Sequence, residues 1–419
     1  MAKLELDAVV LASDPLSRVR IAGLTARERA VRVAKRVGAE RVLVVEGDTD
    51  IRAWREGRSC AVLVIEANQL VHTPLVAPLI EAMPSHGYAM VVDDLTYAGA
   101  FVAAPDVADE AITKLAPPPD AVKVQAGAIA HAPIATPEQR KAAHKLLYKI
   151  LIKPQDNAIT RYLYRPVSFP LTRMLVWTPI TPNQISYLVA VMVAVGCWFT
   201  AHQSMTSVLI GTIIVLAASY VDCCDGEVAR VKLLSSRLGA WIDTIVDELS
   251  SIGYMVAIGY HCHLYFGPNY LGHLSFDPWL VGIVVGVITY AITIYSVYYN
   301  IIVAVGSANS QDYVGRFEVV PGSQPNTVRL APAAAKAIAT KKPLPPWLEF
   351  IATYLPYIVR RDFIAWGSVA LVAAHLTHVA FALFVAGGVV SSVIVGIDHL
   401  KLRSLRRSAT RRGLVFEAP

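Results

Sequence analysis

The chain has 419 residues, of which 55% are hydrophobic and 17% charged, with a mean hydropathy of +0.47. Ordinary soluble domains carry about 25% charged residues, so this composition excludes a wholly soluble protein and points to membrane-embedded sequence. The 38 Lys and Arg against 32 Asp and Glu leave a net charge of +6. Cytoplasmic loops facing acidic lipid account for that excess, and nucleic acid is not expected as a partner. The first 135 residues differ from the rest, alternating β-rich and helical runs as a small α/β domain does. Leu4 to Leu11 reads as a strand, Ala26 to Val37 as a helix, and Arg41 to Glu46 and Ala61 to Glu66 as further strands. Ala89 to Asp93 and Ala98 to Ala103 continue the pattern, followed by a helix over Val107 to Leu115. The apolar run Ala8 to Ala12 is too short for a signal peptide, so the N-terminus is expected to stay inside.

The order Val9-Val10-Leu11-Ala12, then Ala22-Gly23-Leu24 before a helix, then Gly38-Ala39-Glu40-Arg41-Val42-Leu43-Val44-Val45, resembles a sugar-phosphate nucleotidyltransferase domain. The resemblance implies a Rossmann-like α/β fold over residues 1–135. Such domains hold a triphosphate on the amides of a Gly-rich loop after the first strand. Here Ser13-Asp14-Pro15-Leu16-Ser17-Arg18 occupies that place, and Glu66-Ala67-Asn68 stands where a metal-carrying Asp is expected. Those departures imply a catalytically retired domain with a regulatory, docking or substrate-binding role. Pro117-Pro118-Pro119 is expected to end the compact region and begin a linker. In the segment 136–182, Lys141, Lys145, Lys149 and Lys153 recur every four residues beside Leu146, Leu147, Ile150 and Ile152. That spacing suggests either an amphipathic helix on anionic headgroups or a solvated helix with scattered lysines.

Six apolar spans follow, at about 184–201, 206–222, 240–262, 279–305, 362–377 and 380–399, each near the ~20 residues needed to cross a bilayer. They predict an all-α membrane domain over 183–402 and a basic tail over 403–419. The proposed outer segments, His202 to Ser207, His263 to Pro278 and the turn at Thr377-His378, hold no Lys or Arg. The segment 306–361 and the tail hold many, so both termini are expected on the cytoplasmic side of the membrane. Five cysteines, Cys60, Cys197, Cys223, Cys224 and Cys262, show no paired spacing and are expected as free thiols.

Four carboxylates interrupt the apolar sequence: Asp222-Cys-Cys-Asp225-Gly226-Glu-Val-Ala229-Arg230, then eight residues, then Gly239-Ala-Trp-Ile-Asp243-Thr-Ile-Val-Asp247. Spacings of three and four put each pair on one helix face, with Gly239 opening space beside the second pair. Ionised groups at membrane depth are costly unless they share a ligand. All-oxygen donors suit hard divalent ions such as Mg²⁺ or Mn²⁺, and two ions fit four carboxylates. Helix capping or pairing with Arg230 and Arg237 is the plainer alternative.

The pattern Asp-x-x-Asp-Gly-x-x-Ala-Arg-x8-Gly-x-x-x-Asp-x-x-x-Asp resembles the signature of the CDP-alcohol phosphotransferase family, with Thr181-Pro182-Asn183-Gln184-Ile185-Ser186 similar to its Pro-Asn-x-x-Ser/Thr element. The resemblance implies displacement of CMP from a CDP-alcohol by a second alcohol. It also implies two metal ions on Asp222, Asp225, Asp243 and Asp247, with Asp247 the general base, and nucleotide contacts at Gly226, Ala229, Arg230, Gly239, Asn183 and Ser186. Gly226 and Ala229 read equally as residues of close helix packing. Arg165-Pro166-Val167-Ser168 and the stretch 153–161 resemble the juxtamembrane element of bifunctional enzymes that fuse a cytidylyltransferase to a phosphotransferase, as in di-myo-inositol-phosphate-phosphate synthesis. An acceptor bearing phosphate, such as an inositol phosphate, would need cations, for which Lys232, Arg237, Arg360 and Arg361 are candidates. Positive-inside anchoring explains Arg360 and Arg361 as well. The donor is either CDP-diacylglycerol entering from lipid or a CDP-polyol from the cytosol, and family resemblance implies a homodimer. A transporter or channel using intramembrane acids is the alternative class, but it would show internal repeats and polar breaks near the midplane.

Overall fold

The computed structural model describes residues 5–417 other than 48, 153–157, 271, 273–274, 307–311, 325 and 334–360, and excludes the side chains of 361–362. The chain divides into two compact units. The first comprises Met1–Asp156, Phe169–Thr181 and Gly226–Leu234, and the second the remainder.

In the first unit, β1 (Leu6–Leu11) leads into a 3-10 turn over Pro15–Arg18, capped by Asp14, whose carboxylate accepts from Leu16 N at 2.8 Å. A compact turn thus stands where a Gly-rich phosphate loop would lie. Next come β2 (Arg20–Ile21), β3 (Leu24–Thr25) and α1 (Ala26–Arg36), the last opened by a Thr25/Glu28 capping box of the kind that contributes about 1 kcal/mol. The unit continues with β4 (Arg41–Val45), α2 (Ile51–Arg55), β5 (Ala61–Glu66), β6 (Gln69–Val71), α3 (Thr73–Glu81), β7 (Tyr88–Asp93), β8 (Thr96–Ala103) and α4 (Ala108–Lys114). Six strands form one mixed sheet in the order β4-β1-β5-β8-β7-β9, where β9 is Val122–Gln125. β1 is parallel to β4 and β5, whereas β8 is antiparallel to both its neighbours. Two apolar clusters lie on its opposite faces, one around Val10, Leu63 and Ile65, the other around Val9, Val64 and Phe101, as the period-two alternation of strands requires. Asp7 is fully buried in β1; burial alone would raise its pKa, but hydrogen bonds from Arg41 and Arg58 outweigh that and hold the carboxyl below its usual range.

Two expectations change here. The chain beyond Pro117-Pro118-Pro119 is no linker: β9 joins the sheet edge, and β10 (His131–Pro133) pairs with β6. The lysine-bearing helix is α5 (Pro137–Tyr148), and its apolar side, Ala143, Leu147 and then Leu151, is buried within this unit, where α5 packs on β10 and β2. The apolar stripe expected on lipid is covered by protein, with Lys141, Lys145 and Lys149 exposed on the other side. Lys153 lies outside the described residues.

After α6 (Arg165–Leu175), the second unit is dominated by α7 (Pro182–Thr200), α8 (Met205–Val231), α9 (Arg237–Phe266) and α10 (Pro278–Asn300), the last extended by a π-turn to Val305. A hairpin of β11 (Phe317–Pro321) and β12 (Thr327–Pro332) precedes α11 (Arg361–Ala373), α12 (Thr377–Arg411) and β13 (Val415–Phe416). Among the described residues, four helices are long and apolar enough to cross a membrane: α7, α8, α10 with its extension, and α12. Six spans were expected. The 30-residue α9 carries Asp243, Asp247 and Glu248 along with two histidines, and the described part of α11 has 13 residues.

Close approach of α7 and α8 is built on glycine: a Cβ at Gly196 would lie 2.9 Å from Gly211 O, and one at Gly211 2.4 Å from Gly196 O. Phe381 of α12 fills the space left by Gly259 of α9 and Gly282 of α10. The expected basic tail is mostly helix, since α12 continues to Arg411 and β13 pairs in parallel with β12. Glu417 accepts hydrogen bonds from Ser323 and Thr327, which hold its carboxyl down at about 2.

Candidate active site

α8 is a single helix of 27 residues whose later turns carry Asp222 and Asp225. After a short connection, Ser236 opens α9 by accepting from Gly239 N at 2.9 Å, and Asp243 follows one turn later. Asp222, Asp225 and Asp243 converge: carboxylate oxygens of the three lie within 4.8 Å of one another. Asp225 is buried, the other two half-buried. At an effective dielectric of about 20, each such pair of like charges costs about 3 kcal/mol or more, so the arrangement suits a cation between them. Three oxygen donors at this spacing fit a hard divalent ion. Asp247, half-buried one turn beyond Asp243, is not a member of that group of three.

The Pro-Asn-x-x-Ser element meets these carboxylates. Ser186 on the second turn of α7 donates from Oγ to Asp225 Oδ2 at 2.6 Å, with Ser186 3% exposed and Asp225 6%. Asn183 Oδ1 would stand 3.1 Å from a Cβ at Gly239, as would Ser236 Oγ, so glycine there keeps Asn183 close to the start of α9. Sequence spacing therefore finds its counterpart in space for Asp222, Asp225, Asp243, Ser186, Asn183 and Gly239.

Other expected residues are placed differently. Gly226, Ala229 and Arg230 belong to the part of α8 grouped with the first unit; a Cβ at Gly226 would approach Arg230 Nη1 at 3.4 Å. Lys232, expected beside an acceptor phosphate, is buried, and its ammonium donates to Thr178 O at 2.6 Å and Ile180 O at 3.1 Å. Those carbonyls take two of its three protons; burial and then the charge of Arg32 push its pKa down. Arg237 is exposed at the start of α9. Arg360 lies outside the described residues, and of Arg361 only the backbone, opening α11, is described.

Polar residues that the sequence reading passed over also gather nearby in the chain. Glu227, fully buried, accepts from Thr172 Oγ1 at 2.6 Å within the first unit. Glu248, next to Asp247, accepts from Tyr290 at 2.6 Å and Tyr298 at 3.0 Å, tying α9 to α10. An acidic residue amid a span was the available signal in both cases.

Residues 179–321 match the family model for CDP-alcohol phosphatidyltransferase. Similar proteins include the bifunctional IPC transferase and DIPP synthase of Aquifex aeolicus, 32% identical over 152 residues, which are 36% of this chain and 32% of the relative. Its counterpart in Thermococcus kodakarensis is 29% identical over 126 residues, 30% of this chain and 28% of the relative. The CDP-diacylglycerol–inositol 3-phosphatidyltransferase of Drosophila melanogaster is 29% identical over 90 residues, 22% of this chain and 36% of the relative. The chain thus spans about a third of the length of each relative in these matches. The segment that matches the CDP-alcohol phosphatidyltransferase family model, residues 179–321, holds the converging carboxylates of α8 and α9.

Proposed function

We propose that the chain is a membrane enzyme that transfers a phosphoalcohol from a CDP-alcohol to the hydroxyl of a second alcohol and releases CMP. The convergence of Asp222, Asp225 and Asp243 carries this reading. Two divalent cations, Mg²⁺ or Mn²⁺, held by these three residues and Asp247, would neutralise charge on the pyrophosphate and on departing CMP. In the transfer, the acceptor oxygen bonds to the phosphorus that carries the donor alcohol, the phosphoanhydride bond to CMP breaks, and Asp247 takes the hydroxyl proton. Ser186 holds Asp225 in place for this, and Asn183, Gly226, Ala229, Arg230 and Gly239 would border the nucleotide. The names of the relatives favour an inositol-type polyol or its phosphate as one alcohol, with Arg237, Arg360 and Arg361 the remaining cations for an acceptor phosphate.

The same reading takes 183–402 as a membrane domain in which α9 and α11 complete six spans. It places the carboxylates and both termini on the cytoplasmic side, where the Lys and Arg concentrate, and takes the enzyme as a homodimer. The 1–135 segment is a nucleotidyltransferase-like domain without its own catalysis, since a capped 3-10 turn occupies the loop position. Purified wild type should release CMP from a CDP-alcohol only with a divalent cation present. Asp222→Asn should weaken cation binding, whereas Asp247→Asn should stop turnover with cation binding retained. Full turnover by Asp247→Asn would reject the base, and cation-independent turnover would reject the site.

A further inference from the structure

Within the first unit, two arginines of α1 meet the last turn of α8. Arg29 sits mid-way along α1 between the core residues Ala26, Ala30 and Val33 and is itself fully buried. Burial, with the charge of Arg32 adding, pushes its pKa down to about 10, so it stays protonated at neutral pH. Among the described residues no carboxylate lies within ion-pairing distance of it. An unpaired buried guanidinium costs several kcal/mol, by order of magnitude, so it needs other acceptors. It has them in backbone oxygens: Nη1 donates to Val231 O at 3.0 Å and Nη2 to Ile21 O at 3.3 Å. Arg32, three residues on and hence on the same face of α1, donates from Nη1 to Lys232 O at 2.7 Å.

These contacts complete the C-terminus of α8. A helix leaves its last four carbonyls without intrahelical partners and carries negative partial charge there. In α8, Val228 O accepts from Lys232 N, Ala229 O from Leu234 N and Arg230 O from Leu233 N, at 2.9, 2.8 and 3.3 Å. Val231 O and the following Lys232 O are left to Arg29 and Arg32. Leu233 turns into the left-handed region at φ 55° and buries its side chain in the α/β core, while Lys232 anchors to the Thr178 and Ile180 carbonyls. Every element of this cap belongs to the first unit. Asp225, six residues before Val231, is about 9 Å up the same helix, and a one-residue slip there would swing it by about 100°.

We propose that Arg29, seconded by Arg32, is a positioning residue for phosphoalcohol transfer: the two guanidiniums of α1 cap α8 and set the rotation at which Asp222 and Asp225 face Asp243. The proposal rests on the reading of these carboxylates as the cation site. It gives the N-terminal domain a role that requires no nucleotide.

The test uses the full-length protein in nanodiscs, with Mn²⁺ binding read by the electron paramagnetic resonance of the free ion and CMP release read as kcat and KM. Arg32→Ala, at a half-exposed position, and Arg29→Lys, which keeps the charge but loses the guanidinium fork whose two ends reach Val231 O and Ile21 O, are the informative variants beside Arg29→Ala. Each should raise the Mn²⁺ dissociation constant by about tenfold and lower kcat, as loss of a residue that orients metal ligands does. The acceptor KM should stay within about twofold, since both guanidiniums donate to backbone carbonyls of the first unit and their loss falls on turnover. Wild-type Mn²⁺ affinity and kcat in Arg32→Ala and Arg29→Lys, even with a lowered melting temperature, would overturn the positioning role while Asp222→Asn still weakened Mn²⁺ binding. If Asp222→Asn itself left Mn²⁺ binding unchanged, the cation-site reading would fall and the positioning role with it.

Discussion

Replacing Ser186 with alanine removes the 2.6 Å hydrogen bond to Asp225 Oδ2 and leaves a void no larger than a hydroxyl. Both groups are buried, so water does not readily substitute for the lost donor. A hydrogen bond to a charged group contributes roughly 1.5–3 kcal/mol. At about 1.4 kcal/mol per factor of ten, that predicts a loss of roughly 10- to 150-fold. The loss should fall on cation-dependent turnover, because Asp225 is one of the three converging carboxylates. The assay is CMP release against Mg²⁺ concentration at saturating donor and acceptor. Ser186→Ala should shift half-saturation to higher Mg²⁺ or lower the plateau, and Ser186→Thr, which keeps the hydroxyl, should recover most of the activity. Identical Mg²⁺ curves for wild type and Ser186→Ala would refute the claim that this hydroxyl orients a cation ligand.

Two further outcomes are expected. Gly239→Val places a side chain whose Cβ starts 3.1 Å from Asn183 Oδ1 and from Ser236 Oγ; overpacking of about 1–3 kcal/mol should lower kcat/KM by roughly 5- to 150-fold. Gly239→Ala should fall between, and wild-type kinetics for Val would show that the space is not needed. His72, 8% exposed at the start of α3, has its pKa pushed down to about 4 by burial and by the charges of Arg29 and Arg36. The unfolded chain binds a proton there near pH 6.5 while the folded one does not, so stability falls as pH drops from about 6.5 to 4, by roughly 3 kcal/mol. His72→Gln should flatten that slope in the thermal midpoint of the full chain between pH 7.5 and 4.5, and an unchanged slope would place the titrating group elsewhere.

Much of the site could be read from residue spacing because helices turn steps of three and four into shared faces. Asp222 with Asp225, and Gly239 with Asp243, needed only that rule, and the convergence of three carboxylates follows once α8 and α9 lie side by side. Lys232 shows where the rule stops. A lysine between two acidic pairs invites a phosphate, yet its ammonium is taken by the carbonyls of Thr178 and Ile180, more than 50 residues earlier in the chain. Arg29 was passed over because an arginine inside a helix of a soluble-looking domain reads as surface; its place among Ala26, Ala30 and Val33 was the available sign of burial.

The strands β1, β4, β5, β7 and β8, the helices α1 and α4, the apolar helices after Asn183 and the four aspartates were determined by the sequence itself, since they depend on periodicity, capping and charge within a few residues. The third dimension decided what depends on distant partners. β9 and β10 joined sheets because edge strands of the domain had open backbone groups to pair. The apolar side of α5 turned to protein because β10 and β2 of the same unit cover it. The last carbonyls of α8 found their donors on α1, some 200 residues earlier in the chain, because an unsatisfied buried carbonyl is satisfied by whichever donor the fold brings to it.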